Sequence, residues 1–275
     1  MADNITLSSA VRSNLLTLQR TQSLIDTTQG KLATGLRVSS ALDDASAFFA
    51  SASLTNRADD LNNLKSDIDQ SISSLEAAIN GIEAITDLIE QAKGLAITAK
   101  ATSDTNERSS LSVQFNALLD QVDSITTDAS FAGTNLLQAT PDNLTVNFNE
   151  DGSSALTIAG IDSTTAATGL NIAAGANDFV ANSDIDLAIT AINNALTTLR
   201  TSASTLGSNA SVLQTRLTFT TDLANTLEGG AGKLTQADLN LESANLLALQ
   251  TRQQLGINSL SLASQSERSI LALFG

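Results

Sequence analysis

Two long runs of apolar residues, spaced alternately four and three positions apart, constrain this chain most. The first run extends from Leu54 to Ala96, and ten of its thirteen positions are apolar. The second extends from Ile185 to Leu227, with twelve apolar positions out of thirteen. This spacing is typical of long helices that pack through a coiled-coil seam, and it is incompatible with the two-residue period of strands. The chain is therefore expected to be mainly α, built as a long α-helical coiled-coil bundle.

The segment between the two runs adds a shorter helix and one hairpin. A helix is predicted to begin near Asp104, where Glu107 completes a capping-box pair, and to end before Gly133. Apolar and polar residues then alternate from 144 to 158 around a turn at Asp151 and Gly152, which predicts one small β-hairpin.

Two glycine-rich stretches lack a clear period. Residues 160–182 are predicted to form a surface loop, with a further short strand around Leu170 and Ile172 as an option. Gly229, Gly230 and Gly232 follow the second seam and predict a hinge at the end of that helix.

Both ends of the chain are also predicted to be helical. An apolar stripe in the first 36 residues includes Leu7, Val11, Leu15, Leu18 and Ile25, together with Gln22 and Gln29. From Leu234 onward, the apolar residues extend well beyond one stripe. A helix that is apolar on several sides needs burial on several sides, and other subunits are its natural cover.

The formal charge is distributed unevenly. Residues 1–40 carry four basic and two acidic side chains, and residues 233–275 carry three of each. The remaining residues hold seven basic and 24 acidic side chains, a net charge of −17. This pattern predicts that the two ends pack together while the middle faces water, although a chance distribution around solvated helices would look the same.

Composition excludes most catalytic chemistry. The chain has no Cys, His, Trp or Tyr, so it lacks thiolate nucleophiles, imidazole bases and the usual zinc ligands. Neighbouring acids such as Asp43 and Asp44 diverge on a helix and form no carboxylate dyad by themselves. We therefore predict no enzyme activity, no catalytic residues, no cofactor and no metal site.

Charge and hydropathy limit the possible partners and locations. A net charge of −15 argues against nucleic acid and anionic membrane surfaces as partners. No apolar run approaches the roughly 18 residues needed to cross a bilayer. The first ten residues lack the features of a secretory signal peptide, which predicts a cytosolic protein or export without such a signal.

Three sequence stretches together resemble bacterial flagellins. TGLRVSSALDDA at residues 34–45 is similar to SGLRINSAKDDA, the usual flagellin signature near the end of the first helix. FAGTN at residues 131–135 resembles the FNG motif before the flagellin hairpin. QQLG at 253–256 and ILALF at 270–274 resemble the flagellin carboxyl terminus. The chain looks like a short form with little or no outer variable domain, since only residues 141–182 lack a clear counterpart.

The resemblance implies a subunit that polymerises into the extracellular flagellar filament used for motility. Residues 1–38 and 233–275 would pair as the inner coiled-coil core domain, and residues 39–232 would form a central helical domain with the hairpin and a variable loop at about 141–182. The resemblance further implies contact between subunits at a set of apolar residues near both ends. These are Leu7, Val11, Leu15, Leu18, Ile25, Leu255, Leu262, Ile270, Leu271, Leu273 and Phe274.

The implied partners are other copies of the chain and the proteins that export and cap the filament. They comprise the flagellar export apparatus, a flagellin export chaperone at the carboxyl-terminal segment, the filament cap and the hook-junction proteins. Export would occur without a cleaved signal peptide. Two alternatives remain open at this point: a hook-filament junction protein, distinguishable by its low copy number, and an intracellular coiled-coil scaffold, found only inside cells.

Overall fold

The computed structural model describes residues 9–274, without the side chains of residues 10, 267 and 270–274. Five helices and two small two-stranded sheets make up this part of the chain. In order they are α1 (Ser9–Thr34), α2 (Ala45–Ala101), α3 (Thr105–Asp128), β1 (Ser130–Phe131), β2 (Thr134–Asn135), β3 (Leu144–Asn147), β4 (Ala155–Ile158), α4 (Asn182–Thr235) and α5 (Leu239–Phe274), with a short 3-10 turn at Ala176–Phe179 before α4. The predicted mainly α fold with a hairpin region is confirmed.

The chain divides into two compact units. One unit comprises residues 1–56 and 226–275, and the other comprises residues 57–225. Helices α2 and α4 contribute residues to both units. The boundaries predicted at residues 38 and 233 concern the domains of an assembled filament, and they stay a prediction.

The core of the 57–225 unit is built around α2. Predicted seam residues such as Leu75, Ile82 and Ile89 are buried there. A second buried stripe lies beside them and includes Ala78, Ile85 and Ala92. Apolar residues of α3, α4 and the hairpin belong to the same cluster, so α2 is covered on more than one side. Helix α2 is therefore a central helix of this unit, which a single seam did not reveal.

The predicted hairpin is confirmed as the antiparallel pair β3–β4. Leu144 pairs with Ile158, and Val146 pairs with Leu156. Val146 and Ile158 are buried in the core, so the alternation in the sequence does mark one inward and one outward face. The two-residue pair β1–β2 precedes it, in the FAGTN stretch.

Asn135 ties the end of α3 to the chain that follows. Its buried side-chain nitrogen donates to the carbonyl oxygens of Thr126 and Thr127, each at 2.9 Å. Its side-chain oxygen accepts the backbone N–H groups of Leu137 at 2.9 Å and Gln138 at 3.1 Å. One side chain thus satisfies two helix-terminal carbonyls and two amides of a buried turn.

The prediction of a surface loop at 160–182 is wrong in part. No strand forms around Leu170 and Ile172, and both of these side chains and Phe179 are buried. The Asp123 carboxylate of α3 holds the segment by accepting the backbone N–H of Thr165 at 2.7 Å and its hydroxyl at 2.8 Å. The segment packs through side-chain hydrogen bonds and tight turns, which leave no period in the sequence.

The predicted glycine hinge at residues 229–232 is also wrong. Helix α4 continues through all three glycines and ends at Thr235. Glycine in a helix interior costs about 1 kcal/mol relative to alanine, which tertiary contacts can offset. Here Ala231 is buried, and its carbonyl oxygen accepts the hydroxyl of Ser51 on α2 at 3.2 Å.

Truncating Leu75 tests the central position of α2. The Leu75 side chain has no exposed surface, whereas Leu187 on α4 is 70% exposed. Leu75→Ala is expected to lower the free energy of unfolding by about 2–5 kcal/mol, because it leaves a cavity in the core. Leu187→Ala should change it by less than about 0.5 kcal/mol. Urea unfolding followed by circular dichroism measures both, and equal effects would contradict the assignment of the core.

Asn135→Asp tests the hydrogen-bonded turn after α3. The substitution keeps the shape of the side chain. It replaces the amide nitrogen, which donates to the carbonyl oxygens of Thr126 and Thr127, with a carboxylate oxygen that these carbonyl oxygens repel. We expect a loss of about 2–4 kcal/mol in the free energy of unfolding. Asn147→Asp on the exposed side of β3 is the matched control and should be nearly neutral. A stable Asn135→Asp protein at neutral pH would show that the turn does not depend on these donors.

Candidate subunit interface

Helices α1 and α5 pack against each other in antiparallel orientation within the unit formed by residues 1–56 and 226–275. The Gln253 side-chain nitrogen donates to Gln22 Oε1 at 2.7 Å, and Lys31 Nζ lies 3.5 Å from Glu242 Oε1. A β-carbon at position 256 would lie 2.7 Å from Leu18 Cδ2, so Gly256 permits the close approach of the two helices. The predicted pairing of the terminal helices is therefore present in the single chain.

The TGLR stretch at residues 34–37 connects the end of α1 to the end of α4 through hydrogen bonds. Gly35 adopts a left-handed φ of 70°, which ends α1 and turns the chain. The backbone N–H groups of Arg37 and Val38 then donate to the carbonyl oxygen of Thr235 at 2.7 and 3.2 Å. The Arg37 guanidinium also donates to the Leu234 carbonyl oxygen at 2.8 Å, where the negative end of a helix favours a cation.

Asp43 organises the turn between α1 and α2. One of its carboxylate oxygens accepts the backbone N–H groups of Ser39 and Ser40, each at 3.0 Å, and the hydroxyls of both serines. The N–H and the hydroxyl of Ser39, followed by the N–H of Ser40, lower the pKa of Asp43 below its ordinary value. Asp44 caps α2 by accepting the Ala47 N–H at 3.0 Å. The paired acids of this motif are therefore structural, and each organises a different piece of backbone.

The predicted interface residues of α1 differ in their burial, although their spacing places them on one face of that helix. Val11 and Ile25 are buried, and Leu18 is half-buried beside Gly256. Leu15 is exposed, and so are Leu16 and Leu24, which the predicted stripe did not include.

The seam of α1 is shifted at two positions from the predicted stripe. Thr21 and Thr28 are buried, whereas Gln22 and Gln29 are exposed. A threonine fits this position because its hydroxyl can bond to its own helix, as Thr21 does by donating to the Thr17 carbonyl oxygen at 2.9 Å.

The predicted interface residues of α5 are exposed where the structure describes them. Leu255 is 64% exposed and Leu262 is 65% exposed. Ile270, Leu271, Leu273 and Phe274 belong to the backbone of α5, but their side chains lie outside the description, and Leu7 lies outside the described residues altogether.

Helix α5 leaves most of its apolar surface uncovered. Over residues 239–269, none of its described side chains is buried. Leu241, Leu247 and Ile257 are exposed along with the two predicted leucines. A solvent-open groove of about 370 Å³ also separates parts of α1 and α5, between Leu24 and Leu249 among others. The pair therefore offers a long, partly apolar surface to a further partner.

The part of the chain that the structure describes holds no group of three or more His, Cys, Asp or Glu side chains arranged to bind a metal ion. Across residues 9–274, no helix combines the length and the hydropathy that a bilayer crossing requires.

Two family models match this chain over most of its length. The bacterial flagellin N-terminal helical region matches residues 5–142, and the bacterial flagellin C-terminal helical region matches residues 189–274. The unmatched stretch between them contains the hairpin and the packed segment at 160–182.

Individual relatives support the same family. The chain is 31% identical to a flagellin of Brucella melitensis over 100% of its own length and 99% of that protein. It is 32% identical to flagellin FljO of Caulobacter vibrioides over 99% of this chain and 98% of FljO. With flagellin FljK of the same organism the identity is 35%, over 60% of this chain and 59% of FljK.

A crystal structure of Bacillus cereus flagellin superposes with a TM-score of 0.49 at 18% identity, over 56% of this chain and 88% of that one. The two family models and the full-length relatives decide the matter: this chain belongs to the bacterial flagellin family, the structural proteins that polymerise into the extracellular flagellar filament used for motility.

Proposed function

We propose that the paired helices α1 and α5 form the innermost contact between subunits of the filament. In this proposal, residues 1–38 and 233–275 form the core domain, and residues 39–232 form the domain outside it. The contact residues comprise Leu7, Val11, Leu15, Leu18 and Ile25 near one end, and Leu255, Leu262, Ile270, Leu271, Leu273 and Phe274 near the other.

The observation that carries this proposal is the exposure of α5. It is a 36-residue helix whose described side chains are all at least partly accessible, although it is rich in leucine. Complete burial of one leucine contributes about 1.5–3 kcal/mol, so several buried together could hold a subunit in place. Neighbouring copies would supply the apolar surface that a single chain lacks.

The distribution of charge supports the same arrangement. The unit formed by residues 1–56 and 226–275 holds seven basic and eight acidic side chains, a net charge of −1. The 57–225 unit holds seven basic and 21 acidic side chains, a net charge of −14. Many copies of a nearly neutral unit can pack closely, whereas copies of the acidic unit repel one another unless water and counterions separate them.

The proposal extends to export and to the absence of catalysis. The subunit passes through the flagellar export apparatus without a cleaved signal peptide, and an export chaperone covers its carboxyl-terminal segment beforehand. The exposed leucines of α5 support the proposal of a chaperone, because uncovered leucines would favour premature association of subunits inside the cell. The filament cap and the hook-junction proteins contact the two ends of the polymer, and the subunit itself has no enzyme activity.

Charged substitutions at Leu255 and Leu262 test the contact. Because both side chains are exposed in the single chain, Leu255→Asp together with Leu262→Asp should leave the 57–225 unit of the monomer folded. In the filament, each carboxylate would be buried without a partner, at a cost of several kcal/mol, and filaments should not form. Electron microscopy and sedimentation of a polymerisation mixture measure assembly, with circular dichroism as the check on folding.

The matched control is Leu255→Met with Leu262→Met, which keeps two apolar side chains of similar volume. This variant should still assemble. Normal filaments from the double aspartate variant would refute the contact at α5, whereas loss of helix in the 57–225 unit of its monomer would mean that the two leucines serve the fold of the subunit.

Limited proteolysis of the monomer tests whether the terminal pair needs neighbours. Helix α1 has four buried residues among its described side chains, and α5 has none over residues 239–269. So little burial does not offset an ordering cost of about 1–2 kcal/mol per residue. A protease should trim monomers to a core from about residue 40 to about residue 230, detected by mass spectrometry. Resistant termini in a verified monomer would contradict this expectation.

A further inference from the structure

Leu42 is the most exposed large apolar side chain in the part of the chain that the structure describes. It is 97% exposed, on the turn between α1 and α2. The flagellin signature that residues 34–45 resemble usually carries a lysine at this position. A lysine there is solvated at no cost, whereas a leucine held in water is unfavourable unless a partner covers it.

The turn that carries Leu42 is fixed on both sides by hydrogen bonds. Asp43 accepts four hydrogen bonds from Ser39 and Ser40, and the Asp43 N–H donates to the Ser40 carbonyl oxygen at 3.1 Å. Downstream, Asp44 caps α2. These bonds lie within residues 39–47, so they do not depend on α1 or α5, and they hold Leu42 away from the rest of its own chain.

A second apolar side chain lies shortly after this turn. Phe49, in the second turn of α2, is 63% exposed and makes an edge-to-face contact with Phe48 at a centroid distance of 5.6 Å. Ala45, four residues before Phe49 on the same helix, is also exposed. We call Leu42, Ala45 and Phe49 the Leu42 patch.

We propose that the Leu42 patch is a contact site for a second copy of this chain, with the Leu42 side chain inserted into the neighbouring subunit. The proposal rests on the filament function given above, and it adds a contact separate from the α1–α5 stripe. A second copy is the occupant because the patch belongs to the same nearly neutral unit that we place in the core of a polymer of identical chains. The net charge of −1 on this unit opposes close approach far less than the −14 of the 57–225 unit would.

The rigidity of the turn increases the affinity that a single buried leucine can contribute to the contact. A residue whose backbone is already held in its bound conformation loses less conformational freedom when its side chain is buried, so more of that burial appears as affinity. A few such anchors usually dominate the energetics of an interface. Asp43 is in this view a positioning residue, because its hydrogen bonds hold the turn without touching the partner.

Cysteine labelling tests the contact directly, because the natural chain contains no cysteine. Leu42→Cys monomers should react rapidly with a maleimide, since this position is open to solvent. Filaments assembled from the same variant should react at least about ten-fold more slowly, because the neighbour shields the thiol. Equal rates in monomer and filament would overturn the proposal. Failure of the unsubstituted chain to assemble would instead count against the filament function itself.

The critical concentration for assembly supplies the energetic test. Leu42→Ala should raise it about ten-fold, the loss expected for an apolar anchor, while thermal unfolding of the monomer stays unchanged. Asp43→Ala should raise it as well, but it should add little in the Leu42→Ala background if Asp43 acts only by positioning Leu42. An unchanged critical concentration for Leu42→Ala would refute the anchor, and additive effects would refute the positioning role of Asp43.

Discussion

Burial of α2 is the constraint on which the 57–225 unit depends. In a 57-residue helix, intrinsic propensity gives little stability without a packed face. From Ala58 to Ala99, two adjoining buried stripes supply this packing, against a cluster that contains residues of α3, α4 and the β3–β4 hairpin. Alanines at positions such as Ala78 and Ala92 leave room for close contact, and the larger Leu75, Ile82 and Ile89 fill the core.

The other unit has a different balance of forces. Helices α1 and α5 are joined by polar contacts and by the close approach of Leu18 to Gly256, while many leucines stay in contact with water. In a single chain, this unit therefore leaves apolar surface in contact with water, and apolar surface of this extent favours association. In the proposed interface, polymerisation would supply the missing cover, and this would link the terminal sequences physically to the role of the flagellin family.

Single polar residues fix the connections between the helices. Asn135 binds two backbone groups at the end of α3 and two after it, Asp123 holds the segment at 160–182, and Asp43 holds the turn before α2. Each one satisfies backbone groups that would otherwise lack partners in an irregular segment. Such residues have no periodic pattern around them, so analysis of spacing alone cannot identify them before the contacts are known.

The sequence indicated the pairing of the two ends through their near-neutral charge and their resemblance to flagellins. It determined the helical class and the hairpin by itself, because each follows from a local period. The four-three spacing of Ile185 to Leu227 predicted α4 in this way, and the alternation around Val146 predicted the hairpin. Only the tertiary structure determined that a second stripe of α2 is buried and that α4 continues through Gly229 and Gly230. Both features depend on contacts with residues far away in the chain. The tertiary structure also decided that Leu170 and Phe179 are buried and that Leu42 is exposed, although all are apolar residues in irregular segments. The physical reason is that burial depends on what packs against a residue, and hydropathy records only the preference of the residue itself.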